Sequence, residues 1–356
     1  MKQSFEVVKL SDVCNCETSN LALKNLENNF GEYSLYGASG FIKNVDFYKQ
    51  DKDYIGIVKD GAGIGRVMLL ERYSSILGTM QYIIPKENIN IKYLYYNLIK
   101  MNLSKYFTGS TIPHIYFKDY KNEKIFLRTL SEQKKISNIL DNVSKILEMK
   151  KQQLSEFDKL VKFQFLKIFG DPILNEKNWK TEKLFKVAPI TQYIGKFDEK
   201  IWLLNLDMIE ANTGKIIKYN YTNLENIPLS TYKFSEENVL YSKLRPYLNK
   251  VVIPNNRGYV TSEMLPLKPN PLLLNRYFFA YLLRCETFVD FIKNKVSGTK
   301  MPRVSMEELK QFDCILPPIE LQNKFADFVK QVDKSKVILG KALKSLSFRL
   351  NYYYMI

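Results

Sequence analysis

From Ser131 to Phe169 apolar residues recur in a 4,3,4,3 spacing at Ile136, Leu140, Val143 and Leu147, then, past a polar Lys150, at Leu154, Phe157 and Val161. That spacing is the seam of a coiled coil, and it predicts one uninterrupted helix. The stop is written into the chain as well, because Gly170 can take a left-handed conformation and Pro172 forbids continuation. At about 1.5 Å per residue such a helix is a rod of roughly 58 Å. A rod with a one-sided stripe needs a partner, and the C-terminus supplies one. The spacing returns at Phe325, Val329 and Val332, then Lys336, then Leu339, Leu343, Leu346 and Leu350. Each stripe therefore carries one lysine, Lys150 or Lys336, where a polar group can fix register at some cost in stability. The simpler alternative is two amphipathic bundle helices whose lysines snorkel.

The matching stripes belong to a longer repeat. At a constant offset of 184, Lys59 falls on Lys243, Arg66 on Lys250, Val67 on Val251, Met80 on Met264, Pro85 on Pro269 and Tyr93 on Tyr277. At an offset of 189, Pro113 falls on Pro302, His114 on Arg303, Leu127 on Leu316, Gln133 on Gln322, Ile136 on Phe325, Leu140 on Val329 and Val143 on Val332. A fixed offset held over so long a stretch, seam on seam, is a tandem duplication. Each half reads as mixed α/β. In the first, a strand and helix start lie in 5–13, strands follow at 54–59, 67–70 and 78–85, then a helix at 91–105 and a strand at 124–127. The division expected is a globular domain at 1–130, a helix at 131–170, a second domain at 171–318 and a helix at 319–356, with the two long helices antiparallel. Residues 14–50 find no match in 190–235, so one scaffold carries two different faces.

Charge narrows what those faces meet. The formal net charge is +16, and the excess is positive in every one of the four segments. A distributed basic surface favours a polyanion, most simply nucleic acid, with mere solubilisation as the alternative. Four cysteines, with Cys14 and Cys16 two apart, and the single histidine His114 make no credible zinc or iron–sulfur pattern. A reduced, cytoplasmic protein is expected, with no signal peptide and no run of 18 apolar residues to span a bilayer.

The chemical motifs point the same way. Gly61-Ala-Gly63-Ile-Gly65 after a strand resembles a phosphate cradle, but the spacing is not G-x-G-x-x-G and a strand, not a helix, follows it. Its repeat partner, Lys243 to Lys250, contains no glycine. No Asn/Asp-Pro-Pro-aromatic tetrapeptide for amino-group methylation occurs; Leu316-Pro-Pro-Ile319 lacks the polar residue. His114 has no acidic neighbour in sequence to orient it as a base, and its repeat partner is Arg303. An imidazole and a guanidinium share one competence, donation to a phosphate or a guanine edge. Ser110 and Thr111 beside His114, and Thr299 and Lys300 beside Arg303, read the same way, against the plainer alternative of ordinary turn residues. Lys243, Arg245, Tyr247 and Lys250 form the stronger signal, since Lys and Arg meet phosphates and an aromatic packs on sugar or base.

Three passages carry a family likeness: Phe165-Leu-Lys-Ile-Phe-Gly-Asp-Pro172 with Asn178-Trp179, Leu240-Tyr-Ser-Lys-Leu-Arg-Pro-Tyr-Leu-Asn-Lys250, and Leu316-Pro-Pro-Ile-Glu-Leu-Gln322. Together they resemble the specificity (S) subunit of type I restriction-modification enzymes, over essentially the whole chain. The resemblance implies two α/β target-recognition domains, each reading one half of a split site in double-stranded DNA, and two antiparallel helices as spacer. It implies partners too: two methylation subunits, which bind S-adenosylmethionine, docked on helices and domains, with restriction subunits joining in some systems. The S subunit itself would bind no cofactor and no metal and do no chemistry. Position by position, the DNA side implied comprises Tyr36, Gly37 and Ser39 in the glycine turn, Lys59 and Arg66 with their repeats Lys243 and Lys250, and the turns leading to His114 and Arg303. The seam residues would form the spacer and subunit interface. A paired-domain protein adaptor is the rival reading, and a self-contained adenine methyltransferase a third.

Overall fold

A computed structural model of the chain describes residues 5–61, 63–108, 113–197, 200–298 and 301–355. Its longest helix, Leu130–Phe169, opens on a reciprocal cap. The Thr129 hydroxyl accepts from the Glu132 amide at 3.3 Å, and the Glu132 carboxylate accepts from the Thr129 amide at 3.1 Å. The helix ends at Gly170, whose φ of 74° is the left-handed stop expected of it. A second long helix, Ile319–Met355, closes the chain. No helix among the described residues is long and apolar enough to cross a membrane. The chain divides into two compact units, residues 1–150 with 342–356, and residues 151–341, so each long helix contributes to both.

The first unit contains strands β1 (Glu6–Lys9), β2 (Cys14–Thr18), β3 (Tyr33–Gly37), β4 (Gly40–Val45), β5 (Tyr54–Val58), β6 (Val67–Leu70), β7 (Ser74–Ile76), β8 (Met80–Pro85) and β9 (Lys124–Leu127). They pair as a four-stranded sheet β2-β8-β5-β6, a three-stranded sheet β4-β3-β7 and a ribbon β1-β9. Every residue of β5 is buried because both its faces are covered. Ile55 and Ile57 meet Leu94 and Leu98 of helix Ile91–Met101, while Tyr54 and Val58 face Ile76 and Met80. The sequence predicts this helix to Lys105; it stops at Met101, where Asn102 turns left-handed at φ 47° and a separate 3-10 turn follows. Leu140 and Leu147 of the seam are buried in this unit, with Val143, Leu343 and Leu346 half-buried.

The second unit contains β10 (Thr181–Lys183), β11 (Ile201–Leu204), β12 (Tyr221–Thr222), β13 (Thr231–Phe234), β14 (Val239–Ser242), β15 (Val251–Val252), β16 (Gly258–Thr261), β17 (Met264–Leu267), β18 (Val296–Ser297), β19 (Arg303–Val304) and β20 (Asp313–Ile315). The sheet β15-β14-β17 repeats β6-β5-β8, and β11 runs parallel to β16 as β3 does to β7. Here the two long helices meet. Phe165 and Phe169 pack on Phe325 and on Phe278 of helix Arg276–Arg284. Asp158 meets Lys336 at 2.6 Å, so with Phe165 against Phe325 the helices run in opposite directions. Val161, Val329, Val332 and Leu339 are buried along this seam, and Leu154 and Phe157 half-buried. Lys336 thus spans the seam to a carboxylate of the other helix, as a register-fixing group would.

The repeat slips by one residue where strand gives way to helix. Met80 and Met264 both start a strand at the offset of 184, but the helix caps are Asn90 and Asn275, at 185. Tyr93 therefore corresponds in space to buried Phe278, not to Tyr277. Phe165 touches both partners of the aromatic cluster, and Phe165→Ala should lower the stability of the second unit by about 3–5 kcal/mol. Denaturant unfolding followed with a probe in that unit checks the value.

Candidate nucleic-acid interface

Each unit builds the same pair of linked loops, and backbone bonds do the linking. Where β5 ends, the Lys59 amide donates to Thr79 O at 2.9 Å, Lys59 O accepts from the Ile115 amide at 2.9 Å, and the Gly61 amide donates to Pro113 O at 3.2 Å. Where β14 ends, Lys243 donates to Glu263 O at 2.9 Å, Lys243 O accepts from Val304 at 3.0 Å, and Arg245 donates to Pro302 O at 2.7 Å. The left-handed residues coincide as well: Gly61 (φ 88°) with Arg245 (46°), and Gly65 (80°) with Asn249 (48°). Gly61 and Gly65 are thereby accounted for by backbone geometry. At Gly65 a Cβ would lie 2.5 Å from the Ser104 amide nitrogen, which no side chain tolerates.

The cations around these loops divide into committed and free. No acid lies near His114 in sequence, yet the fold brings Asp60 to it, Oδ1 2.7 Å from Nδ1. Arg303, its repeat partner, grips Glu263 through Nε at 3.0 Å and Nη2 at 2.8 Å. That bond holds the Glu263 carboxyl below the usual carboxylate range and raises the guanidinium. Arg66 Nη1 donates to Ala38 O at 2.6 Å, and Lys250 Nζ to Leu206 O at 2.6 Å. These four side chains tie loops together. Lys59 and Lys243 are half-buried at the strand ends, Arg245 and Tyr247 exposed. Among the described residues the Arg245 guanidinium has neither hydrogen bond nor ion pair. Ser110, Thr111, Thr299 and Lys300 lie outside the described residues.

The segments that find no match in sequence do match in space. In register, Ser34, Leu35 and Tyr36 lie against Ser74, Ser75 and Ile76 as Trp202, Leu203 and Leu204 lie against Gly258, Tyr259 and Val260. The offset is 168, the same that relates Ala38 to Leu206, the carbonyls held by Arg66 and Lys250. After that common start the chains part. In the first unit Ala38 and Ser39 form a tight hairpin into Gly40 (φ 116°), with Tyr36 edge-on to Phe41, Gly37 buried beside Ile42 and Ser39 exposed. In the second the chain makes an excursion over 205–220 before β12, carrying exposed Thr213, Lys215, Lys218 and Tyr219. Both return to equivalent pairings, Gln50 with Ser74 and Phe234 with Gly258. The second path is 16 residues longer, 204 to 234 against 36 to 50.

A family model described as the type I restriction modification DNA specificity domain matches residues 2–157 and 176–346, once for each repeat. The chain belongs to that family. The specificity subunit of the type I restriction enzyme EcoDI from Escherichia coli is 23% identical across 98% of this chain and 85% of its own. That of MjaVIII from Methanocaldococcus jannaschii is 24% identical across 87% of this chain and 81% of its own. The crystal structure of a type I restriction-modification S subunit from M. genitalium superimposes with a TM-score of 0.62 at 16% identity, over 99% of this chain and 96% of that one. The shared fold is that of the DNA specificity family. Sequence reasoning missed what pairing alone reveals: Asp60 and Glu263 as partners of His114 and Arg303, and the two carbonyls that hold Arg66 and Lys250.

The matched turns make opposite predictions for substitution. Gly65→Ala should destabilise the first unit by at least about 2 kcal/mol, from the left-handed backbone and the overlap with Ser104. Arg245→Gly should leave stability within about 1 kcal/mol, the lost strain offset by added chain entropy. Thermal unfolding of the two variants beside the unaltered chain checks both.

Proposed function

We propose that the chain is the DNA sequence-recognition subunit of a type I restriction-modification enzyme and does no chemistry itself. Residues 1–130 and 171–318 are its two target-recognition domains, each reading one half of a bipartite site in double-stranded DNA. Helices 131–170 and 319–356 set the spacing between half-sites and dock two methylation subunits, which supply S-adenosylmethionine. The observation that carries this reading is the loop pair built twice on one backbone with different side chains. Two readers of one chemical kind, tuned to different targets, require that arrangement.

The residues take distinct roles. Arg245, Lys243, Lys59 and Tyr247 meet phosphate and sugar, because they are the basic and aromatic groups of the loops left free or exposed. Arg66, Lys250, His114 and Arg303 are already bonded and hold the loops in shape, offering only their remaining donors to DNA. Base identity is read by the hairpin tip Tyr36–Phe41 in one domain and by the 205–220 excursion in the other, the places where the repeats diverge. For docking, helix Leu130–Phe169 keeps a second apolar stripe outward: Ile139, Ile146 and Met149 where it belongs to the first unit, Leu160, Phe163 and Leu166 where it belongs to the second. Exposed apolar area of this kind on a charged helix marks a protein partner.

Salt gives the direct test. In the complex with its methylation subunits, replacing Lys243 and Arg245 by Ala should weaken duplex binding for all sequences alike and flatten the log–log salt slope by about 2. Affinity already flat between low and physiological salt in the unaltered complex would sink the recognition reading. Exchanging residues 205–220 for those of another family member should change one methylated half-site and spare the other, as sequencing of methylated adenines would reveal. Phe163→Asp should loosen the methylation subunits in size-exclusion chromatography while leaving the fold intact.

A further inference from the structure

Two glutamines with no solvent exposure, Gln133 and Gln322, occupy the same place near the start of the two long helices. Gln133 Oε1 accepts from the Asn90 amide at 2.7 Å, and its Nε2 donates to Asn88 O at 3.1 Å and Arg128 O at 2.8 Å. Gln322 repeats the set: Oε1 accepts from the Asn275 amide at 2.8 Å, and Nε2 donates to Leu273 O at 3.0 Å and Pro317 O at 2.7 Å. Asn90 and Asn275 are the N-caps of the two domain helices, Ile91–Met101 and Arg276–Arg284. Arg128 and Pro317 sit just ahead of the long helices. One amide in each unit therefore ties the entry of a domain helix to the entry of a long helix.

Only glutamine fits these partners at this reach. Its planar amide offers one acceptor and two donors, and all three are used; glutamate would bring no donor and a buried charge, and an apolar side chain would orphan three backbone groups. Every partner is a backbone group, so the bonds survive where the partner residues differ between the halves, Asn88 against Leu273 and Arg128 against Pro317. A joint at the first turn of a rod governs the angle at which the rod leaves its domain. A small swing there, carried to the far side of a domain, reaches the rise of one base pair, about 3.4 Å.

We propose that Gln133 and Gln322 are positioning residues that hold each recognition domain at a fixed angle on its long helix and so enforce one gap length between the two half-sites. The proposal rests on the recognition reading above, and the experiment separates the two. Cells expressing the full chain with its methylation subunits are compared with cells carrying Gln322→Met, which keeps the volume and removes the amide, by sequencing methylated adenines. The expected result is the same two half-site sequences, with at least a tenfold loss of preference for the native gap over gaps one base pair longer or shorter. An unchanged gap preference in a folded variant of lower melting temperature overturns the proposal and leaves a bond of stability only. A bipartite target absent from the unaltered protein overturns the recognition reading instead. Hydrogen exchange on the unaltered complex supplies an arm that needs no variant: the Asn90 and Asn275 amides should exchange as slowly as the sheet cores. Exchange at the rate of open loops overturns the clamp.

Discussion

The hydrogen bonds that fasten the end of one central strand to the turn before the last strand are what the rest of each unit depends on. They satisfy backbone groups in loops that would otherwise waste them, and they do so without consulting side chains. That independence explains how a duplicated chain can keep one geometry while its residues drift. Gly61 becomes Arg245, Gly65 becomes Asn249 and Thr79 becomes Glu263, yet the bonds and the left-handed turns stay where they are. The ion pairs were rebuilt from different positions in the same way. Asp60 serves His114 from the loop after β5, whereas Glu263 serves Arg303 from the turn between β16 and β17. A framework fixed by backbone leaves the exposed faces free to diverge.

The long helices and most of the repeat were legible in sequence because both rest on local periodicity. Seam and stop are each encoded within a few residues, and Gly170 falls where such a signal belongs. Pairing between distant strands has no such signature. The match of Tyr36 to Leu204 rests on three register pairs in each unit, and a path 16 residues longer in one half hides it from any constant offset. A constant offset pairs Tyr93 with Tyr277 for a related reason, since two tyrosines one place out of step outweigh a slip at a strand-to-helix junction. Sequence pattern alone carries helix Ile91–Met101 four residues further, because Asn102 is a tolerable helix residue by propensity and only the fold puts it in the left-handed form.

Charge alone was a coarse guide to the interface. A formal net charge of +16 says that polyanions are welcome but not where. The loops themselves sort their cations by prior commitment. Arg66 and Lys250 are drawn inward to carbonyls of the very segments that differ between the units, so these charges set the path of the variable chain before any ligand arrives. Burial acts on the cysteines in the opposite sense. It pushes the Cys14 and Cys314 thiols up to about 12 and Cys16 up to about 11, which favours the thiol over the thiolate.

The seam lysine of the second long helix shows how a duplicated framework acquires direction. Lys336 finds Asp158 across the helix pair at 2.6 Å and Asp333 one turn back at 3.7 Å, and its side chain is 22% exposed, so the charge is shared without being fully desolvated. Nearby, the half-buried Arg284 donates through Nε and Nη2 to Val251 O and faces Tyr281, Asp333 and Asp158, joining the helix seam of this unit to β15. A half-exposed ion pair contributes little to stability, because solvent screens it. Its value lies in register. Sliding one helix by a turn would part Lys336 from Asp158 and carry the carboxylates of Asp158 and Asp333 out of register with Lys336 and Arg284. Apolar heptads alone would tolerate that slip; the ion pair does not, and a spacer whose length has to mean something requires such a stop.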